Sequence, residues 1–137
     1  MKTVICIRGT KHIGKTTLIH TVFDMLNLAE TPPLQMWGND MLAILNMQGK
    51  TVGFASMGDP GSNQKTCLQQ LVESGCEVIL CASRTKGNTV NAVDNLATHG
   101  YRIIWTSPFS SVDTPVFPLN NPFAEAIIKL IQQCLIS

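Results

Sequence analysis

Gly9-Thr10-Lys11-His12-Ile13-Gly14-Lys15-Thr16 decides how the rest of this chain is read. Before it, Lys2–Arg8 is a short apolar run with β-branched residues, which reads as a buried strand ending at Gly9. After it, Leu18, Ile19, Val22, Phe23 and Leu26 recur at helical spacing over Lys15–Leu28, and Thr31-Pro32-Pro33 stops the run. The eight residues therefore join a buried strand to a helix. Gly9 lets the chain leave the strand, and Gly14 lets backbone approach a ligand closely. Backbone N–H groups from Ile13 to Thr17 then gather at a helix N-terminus, where the helix dipole favours negative charge. Such a loop is an anion cradle.

The pattern is G-x-x-x-x-G-K-[ST], matched in full. Average residue usage would produce it by chance on the order of once in a few hundred chains of this size, so the strand before and the helix after are what give it weight. On these residues the chain resembles the P-loop NTPase superfamily. The resemblance is specific over residues 2–28 and topological beyond them. It implies a nucleoside triphosphate with Mg²⁺, held by Gly9, Thr10, Lys11, His12, Ile13, Gly14, Lys15, Thr16 and Thr17. Lys15 would carry charge to the β- and γ-phosphates, and Thr16 would offer its hydroxyl to the metal. Lys11 and His12 fill variable positions, which assigns their side chains to solvent rather than to chemistry.

The family also needs an acidic group near a neighbouring strand end to hold Mg²⁺. Asp59 follows the apolar run Val52–Met57 and is the first candidate; its bland reading is that Asp59-Pro60 initiates a turn. Asp40 is the reserve. Met41–Met47 and Thr51–Met57, joined by Gln48-Gly49-Lys50, read as an antiparallel hairpin. Further helices are expected at Asn63–Ser74, Asn88–Thr98 and from Pro122 onward, and further strands at Glu77–Ala82 and Tyr101–Thr106. Ser107–Asn121 reads as a long loop. The expected fold is α/β, a single three-layer domain over 1–137. It has about five strands in a mostly parallel sheet with one antiparallel hairpin (41–57), and helices on both faces.

The hairpin leading into an aspartate–glycine loop looks like the G-domain arrangement, but Asp59-Pro60-Gly61 is one residue shorter than D-x-x-G. The guanine signature [NT]-K-x-D is missing, so ATP is expected over GTP. Thr31 is the available threonine for a first switch, and Gln64 and Glu77 are the side chains considered for orienting water. Arg84 and Lys86 lie in a loop at a strand's C-terminal end, on the same edge as the phosphate loop. They read equally as catalytic cations that neutralise a transferring phosphoryl group and as a solvated turn. Thr31–Gly38 is apolar but poor in regular pattern, and reads as a lid, a switch or a docking surface.

Composition narrows the partners. Net charge is +1 with no basic cluster, which excludes the electrostatic footprint of a dedicated nucleic-acid binder. No apolar run is long enough to span a membrane, and a cytoplasmic location is expected. Charged residues are only 14% of the chain, below the roughly 25% of an average domain; so sparse a surface points to self-association or a protein partner. Cys6, Cys67, Cys76, Cys81 and Cys134 have no C-x-x-C spacing and read as small buried hydrophobes. Three functions compete: Mg²⁺-dependent hydrolysis, a small phosphotransferase acting on a metabolite or nucleotide, and a nucleotide-binding module without turnover that assembles with a partner.

Overall fold

A computed structural model describes residues 1–9, 14–107 and 116–136, the side chains of 116–121 excepted. Its strands are β1 (Thr3–Arg8), β2 (Gln35–Trp37), β3 (Asp40–Met47), β4 (Lys50–Ala55), β5 (Val78–Ser83) and β6 (Arg102–Thr106). They form one sheet in the order β2-β3-β4-β5-β1-β6. β4, β5, β1 and β6 pair in parallel, while β3 runs antiparallel to both β2 and β4. Only β3 runs against the rest.

The helices are α1 (Lys15–Leu26), α2 (Gln64–Glu73), α3 (Asn88–Asp94) and α4 (Val116–Ile136). Alternation along β1 divides the core. Ile5 and Ile7 face Leu18, Ile19, Val22 and Phe23 of α1 and Ala124, Ile127 and Ile131 of α4. Val4 and Cys6 face Cys67, Leu68 and Leu71 of α2 and Val93 of α3. Helices thus cover both faces of the sheet, as the near-continuous apolar runs of its central strands require. α2 lies so close on β4 that a Cβ at Gly53 would stand 2.8 Å from Leu71 Cδ2. All five cysteines are buried, and none of them forms a disulfide. Among the described residues, no helix is long and apolar enough to cross a membrane.

Four expectations need correction. The sheet has six strands rather than about five, because Gln35–Trp37 adds to β3 through a Gly38-Asn39 turn in which Gly38 takes φ 61°. The β3–β4 hairpin turns on two residues, not three. Gln48 and Gly49 both adopt positive φ (56° and 79°) and Lys50 already pairs with Met47, the geometry that matches strand twist. Leu26 ends α1 two residues early, where the Asn27 side chain takes over: its Oδ1 accepts from Thr31 N–H and its Nδ2 donates to Thr31 C=O. The region from Asn88 to Thr98 is α3 followed by a 3₁₀ turn, Asn95–His99.

A fifth correction concerns the last helix. It begins at Val116 and runs through Pro122, so the expected loop to Asn121 is helical in its last part. Asn121-Pro122 resembles a helix start because proline fits a first turn. Here the ring sits inside the helix, at the expense of one backbone hydrogen bond. Downstream, Ala124, Ile127, Ile131, Cys134 and Leu135 are buried against the sheet.

Candidate functional site

The carboxyl ends of β1, β4 and β5 and the start of β3 share one rim of the sheet, because β3 runs the opposite way. At that rim Gly14 opens α1 in the left-handed conformation (φ 92°, ψ 19°), and its carbonyl accepts the first helical bond from Leu18 N–H at 2.9 Å. No side chain caps this end among the described residues. The N–H groups of Lys15, Thr16 and Thr17 have no intrahelical partner by construction. They are donors for an incoming anion.

Lys15 folds back beneath this turn. Its Nζ donates to Gly9 C=O at 2.6 Å and to Ser83 C=O at 3.0 Å, and the residue is only 7% exposed. Burial pushes its pKa down, Asp59 opposes that shift and Arg84 deepens it. Among the described residues the ammonium contacts two carbonyl oxygens and no carboxylate, so an anion bound at the start of α1 would be the first counter-charge in direct contact with it.

Thr16 projects toward the strand rim. Its Oγ1 lies 3.5 Å from Asp40 Oδ1 and 3.4 Å from Ser56 C=O, and it can donate to one of them at a time. Ser56 fixes the aspartate: its Oγ donates to Asp40 Oδ1 at 3.3 Å and accepts from Met41 N–H at 2.8 Å. A hydroxyl and a carboxylate side by side are hard oxygen donors suited to a small divalent cation that completes its shell with water and phosphate. Among the described residues, no three His, Cys, Asp or Glu side chains cluster into a cage for a metal ion.

Asp59 stands in the loop after β4. Its carbonyl accepts from Ser62 N–H and Ser62 Oγ, so this residue does initiate a turn, and its Oδ1 accepts from Arg84 Nε at 2.9 Å. The preceding Gly58 packs against β5, where a Cβ would stand 2.9 Å from Ala82 Cβ and 3.0 Å from its carbonyl carbon. Any side chain at 58 would lift the Asp59 loop.

A cleft of about 550 Å³ gathers these groups, with Thr16, Thr17, His20, Asn39, Asp40 and Asp59 in its wall. Lys15 lies beneath it, and Arg84 reaches it through Asp59. Lys86 is exposed and bonds no described residue. Thr10, Lys11, His12 and Ile13 lie outside the described residues. Gln64 is buried with its amide donating to Ala82 C=O and Thr89 C=O, which ties α2 to β5 and α3. Glu77 sits at the opposite rim beside the N-terminal amine. Neither is free to orient water in the cleft. Thr31 lines a neighbouring cavity instead.

Sequence reading passed over Ser56, Ser83 and His20. Ser56 had a signal, a hydroxyl interrupting the apolar run that leads to Asp59. Ser83 acts through its carbonyl, which no side-chain pattern reveals. His20, on α1, bonds Asn39 C=O and lines both this cleft and a second cavity beside it. No family model, no curated protein and no solved structure matches this chain.

Proposed function

We propose that this chain binds a nucleoside triphosphate with Mg²⁺ at the Gly9–Thr17 loop and hydrolyses its γ-phosphate bond, as a P-loop NTPase would. The observation that carries the reading is Lys15, buried without a direct carboxylate contact beneath an uncapped helix N-terminus. N–H groups of the first turn of α1 would bind phosphate oxygens, and Lys15 would exchange a carbonyl contact for them. Thr16 and Asp40 would hold Mg²⁺, with Asp59 across the same cleft. The metal, when bound, would supply positive charge against the negative charge that develops on the phosphate oxygens. Arg84, already near enough to act on Lys15 electrostatically, would add positive charge once released from Asp59. ATP is favoured over GTP because no [NT]-K-x-D occurs in the sequence.

The test is thermal denaturation with Mg²⁺ and each of ATP, GTP, ADP and GDP, beside Lys15→Ala, followed by phosphate release. A nucleotide at 100 times its Kd should add about 2.7 kcal/mol of stability, and Lys15→Ala should abolish the gain. Nucleotide binding unaltered by Lys15→Ala would overturn the reading. A second reading, transfer to an acceptor instead of water, is favoured by a cavity that adjoins the cleft at His20 and Met36.

A further inference from the structure

That second cavity, about 470 Å³, lies between α1, the 27–33 segment, β2 and the start of β3. Phe23, Met36 and Met41 give it an apolar lining, and Asp24 and Glu30 give it two carboxylates. Among the described residues that line it there is no lysine or arginine, and neither carboxylate is ion-paired. Glu30 takes a left-handed backbone (φ 56°), uncommon for a residue with a side chain. The Asn27 bracket on Thr31, with Glu30 N–H donating to Asn27 C=O at 3.2 Å, holds it there. The backbone at Glu30 is thus held beside the cavity, with its carboxylate exposed to solvent there.

We propose that this cavity is the acceptor site of a phosphotransferase, taking a small organic cation with an apolar body and a hydroxyl group. The proposal rests on the nucleotide reading above. The aminium would pair with Asp24 and Glu30, and the body would lie on Phe23, Met36 and Met41. The hydroxyl would then face His20, one helical turn along α1 from Thr16 and shared by both cavities. His20 Nε2 faces the Asn39 carbonyl, which can only accept, so Nε2 carries the hydrogen and Nδ1 of the neutral ring holds the lone pair. In the transfer step the acceptor oxygen forms a bond to the γ-phosphorus. The bond from that phosphorus to the β–γ bridging oxygen breaks, and the nucleoside diphosphate leaves with the electron pair. The hydroxyl proton passes to Nδ1.

The probes are tyramine, phenethylamine (no hydroxyl) and 4-ethylphenol (no amine), titrated into the full chain carrying ¹³C-methyl methionine. Both amines should move the Met36 and Met41 methyl signals and 4-ethylphenol should not. The double variant Asp24→Asn, Glu30→Gln should weaken the amines at least about tenfold. With Mg²⁺ and ATP, ³¹P NMR should detect a phosphate ester of tyramine. His20→Gln, which keeps a donor for Asn39, should slow its formation by about 100-fold or more while the amine shifts persist. Met36 and Met41 unmoved by either amine, equal response to 4-ethylphenol, or full affinity in the double variant would each overturn the proposal. Nucleotide stabilisation with those methyls unmoved overturns the acceptor site alone. Amine shifts without nucleotide stabilisation overturn the nucleotide reading, and the acceptor role with it.

Discussion

The two rims of the sheet use their polar groups in opposite ways. At the amino-terminal rim of the parallel strands, polar groups close on one another. Thr3 N–H donates to Glu77 C=O, Glu77 N–H to Thr51 C=O and Arg102 N–H to Lys2 C=O. The buried Tyr101 hydroxyl donates to Cys76 C=O at 2.5 Å, with Lys2 Nζ over its ring. At the carboxyl-terminal rim, Asp40 and Asp59 line a cleft with Lys15 beneath it and Arg84 behind Asp59, held by backbone carbonyls, hydroxyls and one exposed ion pair. One rim is satisfied internally; the other keeps charges that a ligand would satisfy. Changes at the first should alter stability alone, and changes at the second should alter ligand affinity.

The strongest separation is expected from Lys15→Ala. The nucleotide-dependent gain of about 2.7 kcal/mol at 100 times Kd should vanish in thermal denaturation while the circular dichroism spectrum is retained. Tyr101→Phe should do the converse, costing about 1–3 kcal/mol in urea unfolding because Cys76 C=O loses its donor, with nucleotide affinity unchanged. The same rim sets an alkaline limit. Burial pushes the Tyr101 hydroxyl up to about 12, with Cys76 and Glu77 adding to the shift, while in the unfolded chain it titrates near 10. The native state keeps the proton longer, so this stabilisation is complete below about pH 10 and is lost between about pH 10 and 12, on the order of 2 kcal/mol. Loss of that pH dependence in Tyr101→Phe would identify the group.

Smaller effects distinguish the two acids of the cleft. Asp40→Asn should weaken Mg²⁺-nucleotide binding by about 1.5 kcal/mol, roughly tenfold, in titrations run with and without the metal. Asp59→Asn should change stability by less than about 1 kcal/mol, since its pair with Arg84 is exposed. If Asp59→Asn cost more metal-dependent affinity than Asp40→Asn, the acid that holds the metal would be the loop residue rather than the strand residue.

How much of this was legible in the sequence follows from where each signal resides. The strands and helices around the parallel centre write themselves as apolar runs and helical spacings, because every second or third side chain there is buried. β2 was missed because three residues at a sheet edge, Gln35 and Met36 among them exposed, carry no alternation. Its one signal was Gly38-Asn39 between two short apolar pairs, a dipeptide suited to a tight hairpin. The phosphate-loop pattern located Lys15 and Thr16 because covalent spacing fixes it. Asp40 and Asp59 were ranked by proximity to an apolar run, which favoured Asp59. The contact with Thr16 belongs to Asp40, because strand direction, invisible to proximity, brings the first residue of β3 to that rim. The burial of Lys15 was equally hidden, since it depends on Ser83 C=O some 68 positions away.

Because β3 enters the sheet at the cleft, Asp40 belongs to the rigid framework while Asp59 belongs to a removable part. The segment from Gly58 to Asn63 could be lengthened, shortened or exchanged, provided its first residue stays glycine, without relocating the carboxylate beside Thr16. A family of variants built on this chain could therefore inherit one fixed acid and diversify the other, with the hairpin as the conserved chassis and the loop as the interchangeable tool.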